Sequence, residues 1–158
     1  MGVQISGDNI IVPGQITVAV APTAATHVLR VADVSGYRAI VQDLVLSAGA
    51  PSDMTALVIP SSKWIPKRCF VCNPSADVSA ATIELRSAVG GAGDDIVASI
   101  LLANMTNADA NTRAQVLTIN ASFVDTIYTV TMLYPRLTVA AAGGTCDLVF
   151  EYDDIVGV

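Results

Sequence analysis

The sequence predicts an all-β fold, a sandwich or a barrel, and three observations carry that reading. Short runs rich in β-branched and apolar residues recur along the 158-residue chain. Turn formers separate them, and several runs alternate apolar and polar positions with period two. Regular helix signals are scarce.

Taken in order, the runs are these. QITVAV (15–20) follows the Pro13-Gly14 turn, and HVLRVADV (27–34) ends at Ser35-Gly36. RAIVQDLVLS (38–47) stops at Ala48-Gly49-Ala50-Pro51, TALVI (55–59) stops at Pro60, and RCFVCN (68–73) stops at Asn73-Pro74-Ser75. Proline lacks the N–H a ladder needs, and glycine and asparagine tolerate turn conformations, so each break has a mechanism. In ATIELRS (81–87), Ile83 and Leu85 share one face while Thr82, Glu84 and Arg86 share the other. VGGAGDD (89–95) then reads as a hairpin connection to IVASILLA (96–103). The polar stretch 104–114 reads as a loop with room for a short helical turn, and QVLTI (115–119) follows it. TIYTVTMLY (126–134) sets Tyr128, Val130, Met132 and Tyr134 against Thr129 and Thr131. TCDLVFEY (145–152), after Gly143-Gly144, sets Cys146, Leu148, Phe150 and Tyr152 against Asp147 and Glu151.

No repeat of fixed period and no long linker divides these strands. One sandwich domain over 27–158 is expected, preceded by an N-terminal arm over 1–26. The arm is apolar at Ile5, Ile10, Ile11, Val12, Ile16 and Val18, yet Pro13, Gly14 and Pro22 interrupt it. A segment so apolar does not favour staying solvated, and one so broken makes a poor central strand. Those six residues are therefore the candidate interface, an extended stretch pairing with a neighbour's edge strand. The competing reading is an ordinary first strand of the same sheet.

Composition points the same way. Hydrophobic residues make up 53% and charged residues 14%, against about 25% charged in an ordinary soluble domain. So little charge leaves neutral and apolar surface for partners to cover. The net charge of −6 argues against nucleic acid, because phosphate binding needs clustered lysine and arginine. Lys63, Lys67 and Arg68 form one small basic group, which Pro66 interrupts, and they read as guards of a strand edge. No membrane span is expected, since the uncharged stretch 10–26 is broken and too short. The first residues, MGVQISGDN, show no secretory pattern. They fit a loose myristoylation pattern with Gly2 and Ser6, too short to weigh against chance.

Candidate chemistry is thin. Cys69 and Cys72 form a C-x-x-C pair, but on a strand residues three apart point to opposite faces. Neither a bridge between them nor joint metal binding fits that parity, and only Cys146 and His27 remain as further ligands. They read as apolar core thiols, kept free in a reducing compartment. His27, the single histidine, has no nucleophile motif to serve. Asp94-Asp95 and Asp153-Asp154 lack the alternating-oxygen loop of a calcium site, and 89–95 lacks the Lys-Ser/Thr of a phosphate loop. Asn104-Met105-Thr106 and Asn120-Ala121-Ser122 match a glycosylation triplet that means little without secretion. No catalytic residue, metal or cofactor is expected, and the chain is not read as an enzyme.

The segment KWIPKRCFVCNPSADVSAATIELRSAVGGAGDDIVAS, from Trp64 on, resembles small sandwich proteins of tailed-bacteriophage head modules. The likeness lies in the Ile65-Pro66 strand, the Asn73-Pro74-Ser75 turn, the alanine/threonine strand, the glycine-rich hairpin and the final Glu151-Tyr152-Asp153. It runs over 64–158. It implies a capsid decoration, or cement, protein with a jelly-roll fold, a homotrimer bound to the major capsid protein. The implied place is the outer surface of the virion head, after synthesis in the host cytoplasm. Other virion sandwiches (tail, collar or fibre modules) and carbohydrate- or receptor-binding modules are the rival expectations. The latter want exposed aromatic platforms, and this chain has one Trp, four Tyr and three Phe, several alternating into the expected core.

Overall fold

The computed structural model describes residues 37–47, 49–109 and 112–155 in full, and three short N-terminal strands by their backbone. The chain divides into two compact units, Met1–Gly36 and Tyr37–Val158. The division thus falls after the expected 26/27 boundary.

In the first unit, β1 (Gln4–Ser6), β2 (Asn9–Ile11) and β3 (Val18–Ala19) form an antiparallel sheet in the order β1-β2-β3. Ile5 lies opposite Ile10, and Ile10 opposite Val18, in one cross-strand row. The expected strand at 27–34 lies outside the described residues, as does His27.

The second unit is all β. Its strands are β4 (Tyr37–Val45), β5 (Ser52–Asp53), β6 (Leu57–Val58), β7 (Trp64–Cys72), β8 (Thr82–Arg86), β9 (Asp95–Leu101), β10 (Ala114–Leu117), β11 (Met132–Val139) and β12 (Thr145–Asp154). One antiparallel sheet has the order β10-β7-β12-β4, and the other β5-β11-β8-β9, with β6 also on β11. The pairing is nested: β4 with β12, β5 and β6 with β11, β7 with β10, β8 with β9. This unit is one long hairpin whose arms pass back and forth between two sheets. Alternating inward residues of both sheets join in a single buried cluster, the arrangement of a β-sandwich.

Aromatic packing anchors this core. The Trp64 ring stacks on Tyr128 at 4.8 Å between centroids and meets Phe150 edge-on at 5.5 Å. Its indole Nε1 donates to the Val130 carbonyl at 2.7 Å. Trp64 and Tyr128 also exchange backbone hydrogen bonds of 3.0 and 2.8 Å, closing the 120–131 loop over the end of the sandwich.

Two expectations need correction. The run 126–134 is not one strand: β11 starts at Met132, and Tyr128 joins the sheet only through a bridge to Trp64. Its parity is also reversed beyond the loop, for Leu133, Pro135 and Leu137 face the core while Met132 is exposed. A bend at Thr131 resets the phase, which unbroken alternation could not reveal. Glu84 lies on the face opposite Ile83 and Leu85, as their alternation implied, yet is only 7% exposed. The β8–β9 hairpin forms as expected, with Val89–Gly91 as a 3-10 turn.

The cysteines obey strand parity. Cys69 is buried, Cys72 is half-buried on the opposite face, and all three thiols are free. Burial pushes the Cys69 thiol far up, and burial with the Asp147 charge pushes Cys146 up to about 12. In an unfolded chain a thiol ionises near 9.0. Above that pH the unfolded state loses protons the folded state keeps, so these thiols stabilise the fold fully below pH 9 and progressively less above it. Each contributes a slope of about 1.4 kcal/mol per pH unit. Urea melts between pH 8 and 11 are expected to show a shallower decline for Cys146→Val than for wild type. Parallel curves would contradict the assignment.

Candidate functional site: an apolar row across one sheet

The two sheets treat their outer faces differently. On the β5-β11-β8-β9 sheet the register lines up Asp53, Arg136 and Glu84, and beside them Arg86 and Asp95. Opposite charges directly across strands attract. Arg86 donates to Glu84 at 3.2 Å and lies 3.8 Å from Asp95, while Arg136 lies 3.9 Å from both Asp53 and Glu84. The hydrogen bond and charge of Glu84 hold the Arg86 guanidinium above its ordinary value. A turn closes over this grid: the Gly90 N–H donates to Asp53 at 2.6 Å, and Gly91 rests on Arg136 so closely that a Cβ there would overlap the guanidinium. This face is matched to itself.

The β10-β7-β12-β4 sheet is not. Val116 pairs with Phe70, Phe70 with Val149, and Val149 with Ile40. One apolar row therefore crosses all four strands on the side away from the core. Its ends are open, Val116 at 56% and Ile40 at 55% exposed, and its middle is covered, Phe70 half-buried and Val149 at 7%. The Arg68 guanidinium lies 5.3 Å from the Phe70 centroid and shields part of that ring.

Charged residues line both sides of the row. On one side Arg68 pairs across to Glu151 and Glu151 to Arg38, whose Nε donates to Glu151 at 2.9 Å. On the other side Cys72 lies opposite Asp147. A bulge in β4 brings Asp43 there with φ of 54°, a conformation aspartate tolerates better than most residues, and its N–H donates to Asp147 at 3.1 Å. Asn73 also donates to Asp147, at 2.8 Å. Burial, then the Asp147 charge, raises the Cys72 thiol. Farther out, Lys67 of the basic group seen in the sequence pairs with Asp153 at 2.8 Å.

No family model matches this chain, and neither a curated protein nor a solved structure does. The reading of function rests on the residues themselves.

Of the expected interface residues, Ile5 lies in β1, Ile10 and Ile11 in β2 and Val18 in β3, and the backbone of these strands pairs within its own sheet. Val12 and Ile16 lie outside the described residues. Ile40, Phe70, Val116 and Val149 were not among the expected site residues, although a signal was there. Each sits beside a second apolar residue (Ile40-Val41, Phe70-Val71, Val116-Leu117, Val149-Phe150) where strict alternation would place a polar one. A shallow depression of about 320 Å³ lies elsewhere, lined by Ser87, Thr129, Val130, Thr131, Met132 and Tyr134. Tyr134 is its one ring, with the hydroxyl turned to the Met132 sulfur at 3.7 Å.

Proposed function

We propose that this chain is a structural protein acting by surface burial, a decoration protein on the outer face of an icosahedral phage head. The observation that carries the reading is the open apolar row on a rigid sheet, flanked by charges that fix orientation. Contact surfaces have this anatomy, an apolar centre inside a polar rim. The low charge of the whole chain supports the same view, as does the likeness over 64–158. The nested strand order, which we read as a jelly roll, supports it as well. In this reading a homotrimer sits at threefold positions of the head, because a closed cyclic oligomer matches such sites. Binding only to the assembled lattice then stabilises it by mass action, by about 2.7 kcal/mol per site at a hundredfold excess over Kd.

The test adds purified protein to empty heads that lack it. Saturable co-sedimentation and a raised melting temperature of the heads are expected. Heads that neither retain the protein nor gain stability would refute the proposal.

A further inference from the structure

We infer that the apolar row is the contact with a second copy of this chain, the two related by a two-fold axis running parallel to the row. The inference rests on the reading of this face as a contact surface and names its immediate partner.

The argument is one of symmetry and charge. In a two-fold contact the same patch serves both copies and must complement itself. The row is apolar on both copies and meets this condition along its length. The flanks decide the direction of the axis. One flank carries Arg38 and Arg68 against Glu151, one positive charge in excess. The other carries Asp43 and Asp147, with Arg113 beyond them beside Asn73, one negative charge in excess. An axis along the strands would lay the basic flank of one copy on the basic flank of the other. An axis along the row reverses the flanks and keeps each strand above its own counterpart, so that Arg38 of one copy faces Asp43 of the other, twice. Like-charge contact is disfavoured and complementary contact fixes register, so the charges select this axis.

The face is large enough. Four strands about 4.8 Å apart, with nine-residue β4 and β7 rising about 3.3 Å per residue, give a face of roughly 19 by 30 Å. That is about 570 Å² at most, since β10 spans only four residues, below the ~800 Å² per partner of a standard interface and enough for a weak, concentration-dependent contact. The opposite sheet also exposes Val58, Leu101, Met132 and Val139, but its charges are matched to one another under the Val89–Gly91 turn and leave no opposed flanks to set a register. On a head, contacts of this kind would join neighbouring oligomers across local two-fold axes and tie the lattice from outside.

Sedimentation of the full chain over a range of concentrations tests this. The wild-type mass is expected to rise toward twice that of Ile40→Glu, and Val116→Glu, at the far end of the row, is expected to behave like Ile40→Glu. Arg38→Asp and Asp43→Lys are each expected to raise the dissociation concentration about tenfold, and the double variant to regain most of the loss. Such recovery arises only if the two positions face each other across copies. A wild-type mass independent of concentration, a mass the two glutamate variants leave unchanged, or a double variant worse than both singles would overturn the inference. Each variant is first checked by its thermal melt, and a misfolded member of the charge pair is replaced by Arg38→Glu or Asp43→Arg. Head binding by a wild-type oligomer that shows no further, concentration-dependent association through this face would sink this inference and leave the proposed function standing. Self-association without head binding would do the reverse.

Discussion

Replacing Trp64 by alanine is expected to destabilise the Tyr37–Val158 unit by about 3–5 kcal/mol, the range for emptying a large aromatic site. Trp64 is fully buried and stacks on Tyr128, with Phe150 and Tyr152 edge-on at 5.5 and 6.2 Å. Its removal leaves a cavity where both sheets meet and orphans the Val130 carbonyl that the indole N–H engages. In a unit of this size the melting temperature should fall by roughly 10–20 °C. Trp64→Phe keeps much of the packing but loses the hydrogen bond, so its stability should fall between wild type and Trp64→Ala. The 120–131 loop should loosen first, since its closure depends on Trp64 through ring stacking and two backbone bonds. Amide exchange would show this as faster exchange at Tyr128. A loss below about 1 kcal/mol, or no change at Tyr128, would contradict the anchoring role.

Glu84→Ala is expected to be the second large loss, about 2–4 kcal/mol. Removing one member of a buried ion pair is costly mainly because the remaining charge stays buried without its partner. Here two guanidiniums share the lost carboxylate, Arg86 at 3.2 Å and Arg136 at 3.9 Å, each about one-fifth exposed. That partial exposure places the expected loss below the range for fully buried pairs. The Nε atoms of both arginines already lack a hydrogen-bond partner among the described residues, and the unpartnered Asp95 Oδ1 lies 3.8 Å from Arg86, beyond hydrogen-bond distance. A Glu84→Gln, Arg136→Met cycle isolates the coupling, because the double variant removes both charges of one pair. Chemical denaturation of the four proteins should give a double variant more stable than the sum of the singles predicts. Additive losses would mean the row Asp53–Arg136–Glu84 is not coupled.

The alternation of 81–87 and 145–152 made the sheet faces legible in the chain itself. Ile83 and Leu85, and Cys146, Leu148, Phe150 and Tyr152, are buried as their period required. The opposite faces of Cys69 and Cys72 followed from the same parity. The run 126–134 misled because a bend at Thr131 reset the phase, and threonines suit both states. The burial of Glu84 was not legible for a different reason. A carboxylate reads as solvent-exposed unless its partners are known, and Arg136 lies far along the chain on another strand. The candidate surface was the least legible part. Four adjacent apolar pairs marked four strands, but nothing local shows that their outward members fall in register.

The all-β class, most of the strand positions in Tyr37–Val158, the β8–β9 hairpin and the parity of the cysteines could all be read along the chain. Those properties depend on neighbours in the chain, where backbone geometry acts with a period of two. The pairing of β4 with β12 and of β7 with β10 emerged only from the folded chain. Through such pairing the fold decided that Ile40, Val149, Phe70 and Val116 form one row while Asp53, Arg136 and Glu84 form another. Cross-strand register depends on contacts between residues tens of positions apart, and shifting it by one residue would send each of these side chains to the other face.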